Sequence, residues 1–125
     1  MTRVMGAIVL VLMGLAAAVQ YNDPDPLRWM LFYGLAAVIG GLGIAKRLWW
    51  KHAAGFALLG LGVGVVHCIA GADALGARWI DSELVREGSG ALISAVLVGT
   101  LGWLRYKEAP DQANPYLNRP TDADL

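Results

Sequence analysis

A chain of 125 residues in which 57% of the side chains are apolar and only 16% are charged is too oily for an ordinary water-soluble domain, and it has room for one domain. Ten basic residues balance ten acidic ones, so no charge surplus exists to neutralise a row of phosphates, and a nucleic-acid partner is excluded. The single cysteine excludes an internal disulfide and a cysteine-built zinc cluster.

Four stretches without a charged side chain organise the chain: 4–22, 29–45, 52–72 and 88–104. A helix rises about 1.5 Å per residue, so about 17–25 residues cross the roughly 30 Å of hydrocarbon. Backbone groups in lipid must be satisfied within the segment, which makes each stretch a helix, and the alternation of a barrel strand is missing. The predicted fold is an all-α integral membrane protein. It is a four-transmembrane-helix antiparallel bundle over residues 1–107, with a short amphipathic segment before the fourth helix. Residues 108–125 read as a flexible polar tail: Pro110, Pro115 and Pro120 recur there among polar side chains that cannot build a core.

The first span follows Thr2-Arg3 and reaches Ala16-Ala17-Ala18, a pattern shared with cleaved signal peptides. Its apolar run is long for that role, and a retained helix is expected. The loop after it runs from Gln20 to Arg28. Pro26 suits the first position of the second helix with Asp25 as its cap, and Pro24 holds Asp23 extended. The same loop gathers Gln20, Asn22, Asp23 and Asp25, oxygen donors suited to a hard cation or a polar ligand.

Small-residue ridges mark the spans: Ala36-x-x-x-Gly40 and Ala37-x-x-x-Gly41 in the second, Gly60-x-x-x-Gly64 in the third, and Ala95-x-x-x-Gly99 in the fourth. Such ridges let helix backbones approach closely in lipid, within one bundle or between copies in a homo-oligomer. The short turn 46–51 predicts that the second and third spans are antiparallel neighbours. In the third span His67 is the one ionisable group deep in an apolar run, which makes it a site candidate, or else a neutral imidazole bonded to a neighbouring helix. Cys68 beside it reads as a small core residue, and His52 as an interfacial one.

Ahead of the fourth span, Glu83 and Glu87 fall one helical turn apart and repel unless Arg86, a bound cation or a partner's base neutralises them. With Asn22, Asp23 and His67 they form a candidate outer-leaflet site. One histidine among carboxylates suits a divalent metal, and a lipid headgroup or small polar molecule fits equally. No Ser/His/Asp order, phosphate-binding glycine loop or HExxH motif accompanies them.

Seven basic residues (Arg3, Lys46, Arg47, Lys51, Arg105, Lys107, Arg119) fall on one side of the predicted membrane and three (Arg28, Arg78, Arg86) on the other. The excess puts both termini in the cytoplasm, as in a bacterial inner-membrane protein. Trp29, Trp49, Trp50, Trp79 and Trp103 all fall at predicted boundaries, where indole rings anchor spans at the headgroup level.

The run Gln20-x-Asn22-Asp23-Pro24-Asp25, followed by Trp29 and Tyr33 at helical spacing, resembles the signature of the transmembrane protein 220 family. Arg86-Glu87-x-Ser89-Gly90 is similar to that family's second recurring segment, with Gly88 standing where a larger apolar residue is common. A histidine in the third span, as at His67, fits the same pattern. The resemblance covers the spans and not the tail. It implies a small helical membrane protein, brings no catalytic residue with it, and implies that the two acidic segments share one surface. The resulting expectation is a non-enzymatic membrane subunit that assembles with a membrane-protein partner or with itself. A ligand-binding or catalytic site built from the Asn/Asp/His/Glu set is the alternative.

Overall fold

The computed structural model describes residues 1–75 and 82–108. Four helices occupy them: α1 (Thr2–Val19), α2 (Pro26–Ile44), α3 (Trp50–Leu75) and α4 (Glu83–Glu108), with one 3-10 turn at Gln20–Asn22. Each is long and apolar enough to cross a membrane. Glu83–Glu87, expected within a short amphipathic segment before the last span, instead forms the first turns of α4. Of the tail expected over 108–125, Glu108 instead ends α4, and residues 109–125, like Trp79, lie outside the described residues.

Lipid is written into the distribution of side chains. Leu58 is 71% exposed, Val96 68% and Leu31 65%, while Ala36, Ala53 and Ala91 are completely buried. Water would not tolerate so continuous an apolar exterior. In a bilayer the large aliphatic groups meet acyl chains, and the small ones let the helices close on one another. The protein is an integral membrane four-helix bundle.

Helix pairing departs from the expectation drawn from the short turn. α1 packs along α2 and α3 along α4, with α4 also touching α1 and α2, whereas α2 and α3 scarcely meet. The glycines explain the choice. A methyl group on Gly6 would stand 2.7 Å from the Gly40 carbonyl oxygen, and one on Gly64 would stand 2.9 Å from that of Gly88. At Gly60 it would lie 3.1 Å from the Ala91 carbonyl oxygen and 3.2 Å from the Ala95 methyl. Ala36 is buried, and Gly99 approaches the Ala57 methyl across the α3–α4 seam at 3.4 Å. The ridges through Gly40, Gly60, Gly64 and Gly99 are thus used inside the chain, while Gly41 faces open space. Between α2 and α3 the space is filled instead by rings, with Phe32 and Phe56 4.9 Å apart at their centroids.

The end of α2 is closed by a Schellman motif: Arg47 N–H donates to the Leu42 carbonyl at 2.9 Å and Lys46 N–H to that of Gly43 at 3.2 Å. The motif needs a left-handed residue after the cap, and here Lys46 takes that role at φ 57°. A side chain in this conformation costs about 1 kcal/mol that glycine does not pay. Lys46→Gly is therefore expected to stabilise the protein by about 1 kcal/mol, seen as a later midpoint when unfolding is driven by SDS in mixed micelles.

Candidate functional site

At the acidic end of the bundle, opposite the Lys46 turn, the 3-10 turn and the starts of α2 and α4 converge. Asp23 is extended at ψ 155°, as Pro24 requires, which ends the 3-10 turn and directs the chain toward α2. Pro26 takes the first position of α2. Asp25 precedes it but makes no capping hydrogen bond, contrary to expectation; its carboxylate lies 3.7 Å from the Arg28 guanidinium, one turn into the helix.

Glu87 is the centre of this end. Its side chain is only 16% exposed, and the Trp29 indole N–H donates to Oε1 at 2.6 Å. Oε2 has Arg28 at 3.9 Å and His67 Nε2 at 3.8 Å. A carboxylate withdrawn this far from water needs such compensation, and a short charge-assisted hydrogen bond supplies the strongest part of it. The other His67 ring nitrogen lies 2.9 Å from the Val63 carbonyl of its own helix, which fixes the ring beside Glu87. Cys68 packs behind, with Sγ 4.0 Å from the Val85 carbonyl.

In front of Glu87 opens a cleft of about 160 Å³ lined by Gln20, Asp23, Trp29, Tyr33, Glu83, Arg86 and Glu87. Of the residues singled out by sequence, Gln20, Asp23, Glu83 and Glu87 are brought to this cleft. His67 supports Glu87 from behind, while Asn22 and Asp25 stay on the exposed rim. Arg86, expected to neutralise Glu83 locally, lines the cleft, whereas the guanidinium that reaches Glu87 is Arg28, from a different helix. Among the described residues no three of His, Cys, Asp and Glu group closely enough to hold a metal ion, and Glu87 and His67 stand as a pair.

Two aromatic residues complete the site. Trp29, expected as an interfacial anchor, is instead 3% exposed and turned inward, because its N–H has a carboxylate to satisfy inside the bundle. Arg28 covers its ring at 5.1 Å. Tyr33, one turn further along α2, is 6% exposed, and a methyl group on Gly90 would collide with its hydroxyl. The spacing of Trp29 and Tyr33 on one helix face was the available signal; the need for glycine at 90 had none. At the opposite end Trp49 and Trp103 keep to the surface, under Lys51 at 5.1 Å and Lys107 at 4.4 Å, with Trp50 half-buried and His52 against Trp49.

The model of a family described as transmembrane family 220, helix, matches residues 12–103, from the middle of α1 to the last turns of α4. The chain belongs to transmembrane family 220. The matched region of the family contains every residue of the cleft. No curated protein and no solved structure matches the chain.

Proposed function

We propose that this member of transmembrane family 220 is a non-enzymatic binding protein of the bilayer, and that the cleft in front of Glu87 is its recognition element. The observation that carries the reading is a buried carboxylate fixed by α2 and α3 side chains at the mouth of a polar cleft. A carboxylate held rigidly in this way is preorganised to meet a polar partner entering the cleft. The small-residue ridges favour the same choice over a homo-oligomer, since Gly40, Gly60 and Gly64 are spent on contacts within the chain. A role in a larger membrane assembly is compatible with it, the cleft then being the part that meets the other component.

The excess of basic residues at the Lys46 end supports a cytoplasmic placement of both termini, in a bacterial inner membrane, with the cleft opening at the far leaflet. Extraction with native lipids followed by mass spectrometry tests the binding role. The parent protein is expected to carry a bound species that Glu87→Gln loses, while the variant stays folded because the amide oxygen still accepts the Trp29 N–H. Identical adducts on both proteins would overturn it. A reporter inserted at 76–81 and found active in the cytosol would overturn the orientation.

A further inference from the structure

We infer that the cleft takes a primary ammonium group, an inference that rests on the binding role proposed above. Three carboxylates, Asp23, Glu83 and Glu87, line it against one base, Arg86. Glu87 accepts from the Trp29 N–H and has Arg28 at 3.9 Å, but Asp23 and Glu83 have no ion-pair partner within 4.0 Å among the described residues. An independent observation comes from α2. Tyr33 is more than nine-tenths buried and lines the cleft, and its hydroxyl has no hydrogen-bond partner among the described residues. Gly90 is what lets that hydroxyl lie against α4.

A primary ammonium carries three donors and no acceptor. The Asp23 and Glu83 carboxylates and the Tyr33 hydroxyl offer it three acceptors from three segments of the chain, and the aromatic Trp29 and Tyr33 side chains line the same cleft. The Trp29 ring already takes a cation beside the cleft, since the protein's own Arg28 rests on it at 5.1 Å and reaches Glu87. Size fits as well. A cavity of about 150 Å³ admits a benzene-sized molecule, so the 160 Å³ here accepts an aminoethyl group. The cleft lies where α1 ends and α4 begins, at headgroup level, so the ammonium can belong to a lipid headgroup or to a free amine.

The test places the full chain in nanodiscs of phosphatidylcholine containing either phosphatidylethanolamine or phosphatidylglycerol and counts retained lipids by native mass spectrometry. In parallel, ethanolamine and its uncharged analogue ethylene glycol are titrated against tryptophan fluorescence. Retention of phosphatidylethanolamine over phosphatidylglycerol identifies a headgroup, and a response to ethanolamine alone identifies a free amine; either supports the inference. The Asp23→Asn/Glu83→Gln double variant should weaken the preferred ligand by about tenfold or more, the scale of a lost charge-assisted contact. Tyr33→Phe, which keeps the buried ring, should weaken it in the same direction and serves if the double variant does not fold. Equal retention of both lipids together with equal responses to the two small molecules overturns the ammonium assignment. If Glu87→Gln still strips some other adduct, the binding role survives that result; if it strips nothing, both fall.

Discussion

Gly40→Ala is expected to destabilise the bundle by about 3 kcal/mol, the upper range for overpacking a closed interface, while Gly41→Ala, one residue along, leaves it unharmed. The two glycines share a helix, a depth and a chemistry. They differ in what a methyl group would meet. At Gly40 it would stand 2.6 Å from the Leu10 nitrogen and 2.8 Å from the Gly6 carbonyl oxygen, backbone atoms that move only if α1 moves. At Gly41 nothing lies within 4 Å. The second substitution even replaces glycine by a residue favoured in helices by up to about 1 kcal/mol. SDS-driven unfolding in mixed micelles reads both midpoints in one experiment. Gly64 and Gly62 form a second such pair on α3, the first packed against Leu92 and the Gly88 carbonyl and the second open. Equal midpoints for Gly40→Ala and Gly41→Ala would mean that α1 and α2 do not meet through this seam.

These pairs also mark the line between what could and could not be read along the chain. The absence of charge over 4–22, 29–45, 52–72 and 88–104 locates the hydrocarbon-spanning parts because burying a charge in lipid is costly. It does not locate helix ends. α4 runs from Glu83 to Glu108 and includes the exposed Arg86 as well as Glu87 and Arg105, whose charges are met by other parts of the chain rather than by water alone. Pairing was hidden for a related reason. Ala37-x-x-x-Gly41 and Ala36-x-x-x-Gly40 are indistinguishable as motifs, and only the crossing of α1 over Gly40 separates them. At the cleft, the acidic residues were visible as chemistry, and their clustering followed from two loops emerging at one end. Trp29 was misplaced because its position at a span boundary is the same whether the ring faces lipid or Glu87.

Arg105 carries the other large expectation, at the basic end. In sequence it is one more cytoplasmic positive charge. In the fold it is 7% exposed, with Nε donating to the Leu48 carbonyl at 3.0 Å and a terminal guanidinium nitrogen to the Lys46 carbonyl at 2.7 Å. The side chain of α4 thus fastens the turn between α2 and α3, two helices that hardly touch each other. The C-terminal end of α2 carries partial negative charge, so a cation is welcome there even without a carboxylate. Arg105→Met keeps the length and apolar stem but removes both bonds and leaves the carbonyl of fully buried Leu48 unmet. At about 1.5–3 kcal/mol for each charged hydrogen bond, a loss of about 3 kcal/mol or more is expected. Arg105→Lys should recover part of it, because a single ammonium keeps the charge without the planar fork that spans two carbonyls. The turn offers a further check through coupling. Lys46 is held at φ 57° in the same segment that Arg105 fastens. With the fastening gone, the turn can relax and the gain from Lys46→Gly should shrink. A double-mutant cycle in mixed micelles measures that coupling, with neighbouring sites of this kind departing from additivity by about 0.5 kcal/mol or more. Strict additivity, or an Arg105→Met protein as stable as its parent, would show that the guanidinium does not hold the turn.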